Sequence, residues 1–130
     1  MTLSVRDQES LSVNQAMLES VVSGDWGAYA KHCSNDVSCF EGETNGHLVE
    51  GLAFHQYYFD LPAGDAPSTP VTVTMARPHL RWLSDDAVVL SYTRLTQRLV
   101  NGEPITASCC ETRIWRRLSG QWQHVHVHRS

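Results

Sequence analysis

The stretch "AVVLSYTRLTQRLVNGEPITASCCETRIWRRLSGQWQHVHVHRS", Ala87 to Ser130, alternates apolar and polar residues through three runs. A two-residue period is that of a half-buried strand. The runs are separated by "NGEP" at Asn101–Pro104 and "SG" at Ser119–Gly120, both tight-turn signals. Three consecutive antiparallel strands are the expectation. Just upstream, "VTVTMARPHLRWL" (Val71–Leu83) alternates too and adds a fourth. Between it and the earlier sequence lies "PAGDAPSTP" (Pro62–Pro70), with three prolines and a glycine, which reads as a loop too short to separate domains.

Before that loop the period is helical. In "ESLSVNQAMLESVVSGDW", Leu11, Leu18, Val21 and Val22 fall near helical spacing with Met17 beside them. Ser12 and Gln15 have capping-box spacing, Gly24 suits a stop, and Asp25 suits the cap of a second helix, "DWGAYAKHC". "VSCFEG" (Val37–Gly42) is a short strand, and "LVEGLAFHQYYFDL" supplies a short third helix. Helices first and a long meander afterwards is an α+β pattern: a strongly curved antiparallel sheet with helices packed in it. Residues 1–8 are polar and are expected to be a flexible segment, leaving 9–130 as one domain.

The composition fits a globular domain, with 42% hydrophobic and 18% charged residues among 130. A formal net charge of −4 gives no reason to expect nucleic-acid binding. The N-terminus shows no apolar signal region, and no run approaches the roughly 20 residues of a membrane helix. Neither membrane nor nucleic acid is an expected partner, and a cytoplasmic location is expected. Cys33, Cys39, Cys109 and Cys110 form no CxxC pair and read as reduced thiols.

The chemistry sits on strand faces. Strict alternation puts His124, His126 and His128 on one face with Trp122, pointing outward. No cysteine or carboxylate ligand is near in sequence, so this face reads as hydrogen-bonded or interface histidines rather than a metal site. Val125, Val127 and Arg129 then share the opposite face, as do Leu90, Tyr92 and Arg94, and Glu111, Arg113 and Trp115. Three neighbouring strands would each send an arginine from an apolar face. These are either snorkelling surface arginines at strand ends or guanidiniums converging on a cavity. A cavity of that kind would favour a carboxylate and would need an acid from protein or ligand to offset the buried charge. GxSxG, P-loop and HExxH signatures are absent, and no cofactor is expected.

"SGDWGAYAKHCSND", "LVEGLAFHQYYF", "YTRLTQ" and "ETRIWRRLSGQWQHVHVHRS" together resemble the association (hub) domain of calcium/calmodulin-dependent protein kinase II, from about Leu11 to the C-terminus. That family belongs to the NTF2-like (SnoaL-like) superfamily. The resemblance implies a cone with a long N-terminal helix packed in a curved sheet, agreeing with the pattern above. It also implies self-assembly into a two-layered ring, a dodecamer or tetradecamer, that holds tethered kinase domains together. It implies a pocket for small carboxylates, carried by Tyr29, His55, Arg94, Arg113 and Arg129, with Glu41 lining or neutralising it. No Gly-rich ATP loop, HRD or DFG is present, so the chain itself is not expected to be an enzyme. Two alternatives remain at this point: a small NTF2-like isomerase or dehydratase using His55 and Tyr29, and a stand-alone carboxylate sensor.

Overall fold

The computed structural model describes residues 2–61 and 70–130; most of the proline-rich loop therefore lies outside the described residues. Helix α1 spans Val5–Ser23 and α2 spans Trp26–His32. Strand β1 (Cys33–Phe40) follows, then a 3-10 turn at Gly42–Thr44, the two-residue β2 (Val49–Glu50) and helix α3 (Ala53–Phe59). The long strands are β3 (Thr72–Ser84), β4 (Ala87–Val100), β5 (Glu103–Leu118) and β6 (Gln121–Arg129).

Helix α1 begins inside the segment expected to be flexible. Its cap is Ser4, whose hydroxyl accepts from the Asp7 amide while the Asp7 carboxylate accepts from the Ser4 amide. This reciprocal box, not Ser12 and Gln15, starts the helix, because an aspartate at the third helical position closes it as a Glu or Gln would. Gln15 instead donates to the Val73 carbonyl at 2.9 Å and ties the helix to β3. At Gly24 the chain turns left-handed (φ 70°) and the helix stops, and Asp25 then caps α2 through the Ala28 amide.

The six strands form one sheet in the order β2-β1-β6-β5-β4-β3. All neighbours are antiparallel except β1 and β6, which run parallel. The meander is as the alternation predicts. Its turns use Asn101-Gly102 (φ 53° and 80°) and Ser119-Gly120 (φ 54° and 77°), both pairs left-handed as a type I′ hairpin requires. The concave face holds the core. Met17 and Leu18 from α1 and Tyr29 from α2 pack on Val37, Val88, Leu90 and Trp115 from the strands. Trp115 also donates its indole N–H to Asn14 Oδ1 at 3.0 Å, a polar pin between β5 and α1.

Two bulges set which side chains reach that face. In β3, Arg77 adopts φ 53° before Pro78, and the register with β4 slips between Ala76 and His79. In β6, Ile114 faces His126 while Trp115 faces His124, so Val125 has no partner across the pair. A one-residue bulge reverses the phase of everything beyond it.

Candidate functional site: a buried arginine cluster

The Val125 bulge corrects the expected histidine face. His124 turns inward and is fully buried, and Trp122 packs against the core on the same side. His126 and His128 stay on the other side, where both rings stand against Phe40. Val127 and Arg129 face inward as expected, but Val125 does not share their phase. No alternation rule applied to "HVHVHR" alone could place the extra residue.

The three arginines do converge. Arg94, Arg113 and Arg129 line a cavity of about 200 Å³ with Tyr29, Glu41 and Glu43, together with the apolar Val21 and the ring of Tyr58. His55 is buried beside Tyr29, ring centroids 5.7 Å apart, and is not among the lining residues. Arg113 is the most deeply placed. Its Nε donates to both Glu111 Oε1 and the Tyr92 hydroxyl at 3.1 Å. Tyr92 in turn donates to Glu111. Arg94 reaches the second oxygen of Glu111 at 3.0 Å. One carboxylate with no exposed side-chain surface thus balances two guanidiniums.

The acid opposing Arg94 and Arg113 is Glu111, while Glu41, which the resemblance implies as lining or neutralising the pocket, lines the cavity beside Arg129. Glu41 has a lesser part: Arg129 lies 3.5 Å from it and 2.7 Å from Glu43. Glu43 sits in the 3-10 turn and no periodic pattern flags it. Glu111 did carry a signal, because it alternates with Arg113 on β5 and faces Tyr92 directly across the β4–β5 pair. Burial works against its charge, but Arg113 and Arg94 outweigh that and hold its pKa below the ordinary glutamate range.

The network continues behind Arg113. Its Nη1 lies 3.2 Å from His124 Nε2, and His124 Nδ1 lies 3.6 Å from the Cys33 thiol. A guanidinium can only donate, so Nε2 is the acceptor and Nδ1 carries the proton. Burial first, then the Arg113 charge, pushes the His124 pKa well below its usual 6.5. A neutral buried histidine makes stability depend on pH. The unfolded chain takes up the proton first, so the contribution is complete above pH 6.5 and is lost as pH falls toward the folded value. We expect unfolding free energy to drop below pH 6.5 with a slope approaching about 1.4 kcal/mol per pH unit for this one residue. The check is urea denaturation from pH 7.5 to 5 with the His124 imidazole followed by NMR. A resonance titrating near 6.5 would contradict the buried-neutral assignment.

Among the described residues no helix is long and apolar enough to cross a membrane. All four cysteines are free thiols.

Comparison with known proteins places these features in a family. Residues 6–130 match the family model described as the calcium/calmodulin-dependent protein kinase II association domain. The chain is 40% identical over 126 residues to the delta subunit of calcium/calmodulin-dependent protein kinase type II from Oryctolagus cuniculus, covering 96% of this chain and 24% of that protein. The chain therefore spans about a quarter of that relative's length. A solved CaMKII hub homology domain of C. reinhardtii is 48% identical over 95% of each chain, with a TM-score of 0.90. An NTF2-like protein from Pseudomonas putida, 15% identical over 100% of this chain and 89% of that one with a TM-score of 0.73, shares the fold alone. The capped first helix, the curved sheet and the arginine-bearing strands thus belong to a chain that is a member of the calcium/calmodulin-dependent protein kinase II association-domain family.

Proposed function

We propose that this domain is a homo-oligomerisation hub that assembles into a large two-layered ring, with a carboxylate-binding pocket at the arginine cluster. Membership of the association-domain family carries the assembly reading. The surface supports it. The β4–β5 hairpin exposes Leu99, Val100 and Ile105 at one end, while Leu83 and Leu118 are exposed beside the turns at the other. A closed double ring needs one heterologous contact around each layer and one isologous contact between layers. Kinase domains tethered to such a ring would meet at a high effective concentration.

The carboxylate reading rests on one observation: Arg94, which lines the cavity, has its Nε buried without a hydrogen-bond partner among the described residues. An unmet donor of a charged group is costly, and a ligand oxygen would relieve it. Glu111, Glu41 and Glu43 already offset the three arginines, so an incoming carboxylate competes with Glu41 and Glu43 for Arg129 while taking the free donor on Arg94.

Absolute mass in solution tests the assembly. A particle of about a dozen or more subunits is expected; a dimer would overturn the hub reading and direct attention to catalysis in the cavity. Calorimetry with butyrate tests the pocket. Arg94→Ala is expected to weaken binding by about tenfold or more, as loss of a charge-assisted hydrogen bond would. Equal affinity in both proteins would remove Arg94 from the site.

A further inference from the structure

At the edge of the arginine cavity, Cys39 joins two residues that the family resemblance assigns to the carboxylate pocket, Glu41 and His55, and the geometry gives the three a further use. The Cys39 sulfur, a Glu41 carboxylate oxygen and a His55 ring nitrogen all lie within 4.8 Å of one another. They come from two elements: Cys39 from β1 with Glu41 just beyond its end, and His55 from α3. Cys39 is fully buried and His55 is 93% buried, with 7% exposed. The Nε2 atom of His55 is buried and has no hydrogen-bond partner among the described residues. A buried imidazole nitrogen with nothing to bond is rare, and it calls for a ligand or a bound ion.

We propose that Cys39, Glu41 and His55 form a binding site for a zinc-type divalent cation at the edge of the arginine cavity. One thiolate, one imidazole and one carboxylate are a borderline-soft donor set that suits zinc over magnesium or calcium. Ligand atoms around a tetrahedral zinc stand about 3.3–3.8 Å apart, given bonds of 2.0–2.3 Å. The three groups therefore need to draw in by about 1 Å, a rotamer-scale adjustment. The fourth position is left to water or to an anion from the cavity.

The electrostatics can accommodate the ion. Cys39 as thiolate and Glu41 as carboxylate together match its two charges. Burial holds His55 below its usual pKa, so the ring is neutral as a ligand must be. Burial, with Glu41 adding to it, pushes the Cys39 thiol up to about 11, so the ion must displace that proton to solvent. Glu41 would leave Arg129, which keeps its shorter 2.7 Å contact to Glu43. Arg113 stays paired with Glu111.

The test is cobalt(II) titration of the intact oligomer as purified, followed by absorption, with zinc competition. Cobalt bound through Cys39 gives a thiolate-to-metal charge-transfer band; ions held adventitiously by the outer His126 and His128 give none. We expect one ion per chain, zinc displacing cobalt, and about one proton released per ion, measured by calorimetry in two buffers. Cys39→Ala should abolish the band, and His55→Gln should weaken binding at least tenfold. Circular dichroism and sizing confirm that each variant is folded and assembled. Absence of the band in the parent protein, or a band that survives Cys39→Ala, would overturn the proposal.

Discussion

Glu111→Gln is expected to cost the fold about 3–5 kcal/mol, the range for removing one partner of a buried ion pair. The side chain is isosteric, so no cavity opens. What is lost is the charge that lets Arg113, buried to 97%, and the neighbouring Arg94 remain charged inside the sheet. Neither can shed its proton, because a guanidinium stays charged at any accessible pH. The effect should be visible as a fall in the urea midpoint at unchanged slope. The informative control is the double variant Glu111→Met, Arg113→Met. Replacing a buried pair by apolar residues of similar volume is often close to neutral. It should recover a large part of the loss, with Arg94 still to be solvated at its partly exposed end. If Glu111→Gln unfolds at the parent midpoint, the three-residue network is not a stability element and water reaches it freely.

Trp115→Ala should be comparably damaging, at about 3–5 kcal/mol, as for other buried tryptophans cut to alanine. The ring is 1% exposed and sits between His124, at 5.4 Å, and His32, at 6.2 Å. Trp115→Phe separates the two contributions. It keeps most of the packing but leaves Asn14 Oδ1 without its donor, a loss of about 1–3 kcal/mol. Asn14 is fully buried, and its amide nitrogen contacts the Met75 sulfur at 3.1 Å, so water cannot easily replace the indole. Thermal or chemical unfolding of the three proteins gives the comparison. A phenylalanine variant as stable as the parent would show that the polar pin adds nothing to the burial.

The meander is legible because the two-residue period runs unbroken through the β4–β5 pair and two of the three turns carry their own chemistry, in Asn101-Gly102 and Ser119-Gly120. The arginines were legible for the same reason: Arg94 and Arg113 sit on strands that pair without slippage over their whole length. Legibility ended where register ended. The phase of His124 depends on a bulge at Val125, and a bulge is decided by how β6 fits β5 and β1 at once, not by local preference. The start of α1 is hidden because its box closes with Asp7 in place of the Glu or Gln that usually marks one. Alternation places Glu111 on the arginine face, but its role depends on Tyr92 and Arg94 arriving at the same carboxylate from β4. Glu43 could not be seen at all, since a short 3-10 turn has no periodicity to read.

The position of β6 bears on how the chain folds during synthesis. The strand made latest among the six lies inside the sheet, between β1 and β5. It brings His124 beside Cys33, 91 residues earlier. The β3–β4–β5 meander can close on local hairpins as it emerges. Strand β1 cannot, because β2 offers it only two paired residues. Until Gln121–Arg129 has been made, the nascent chain carries an open edge bearing Cys33 and Cys39, with the arginine cluster missing one wall. Contacts so distant in sequence are slow to form, and unpaired edges invite association with other chains. A chaperone that shields the β1 edge during this interval would raise the yield of native domain without touching the finished structure.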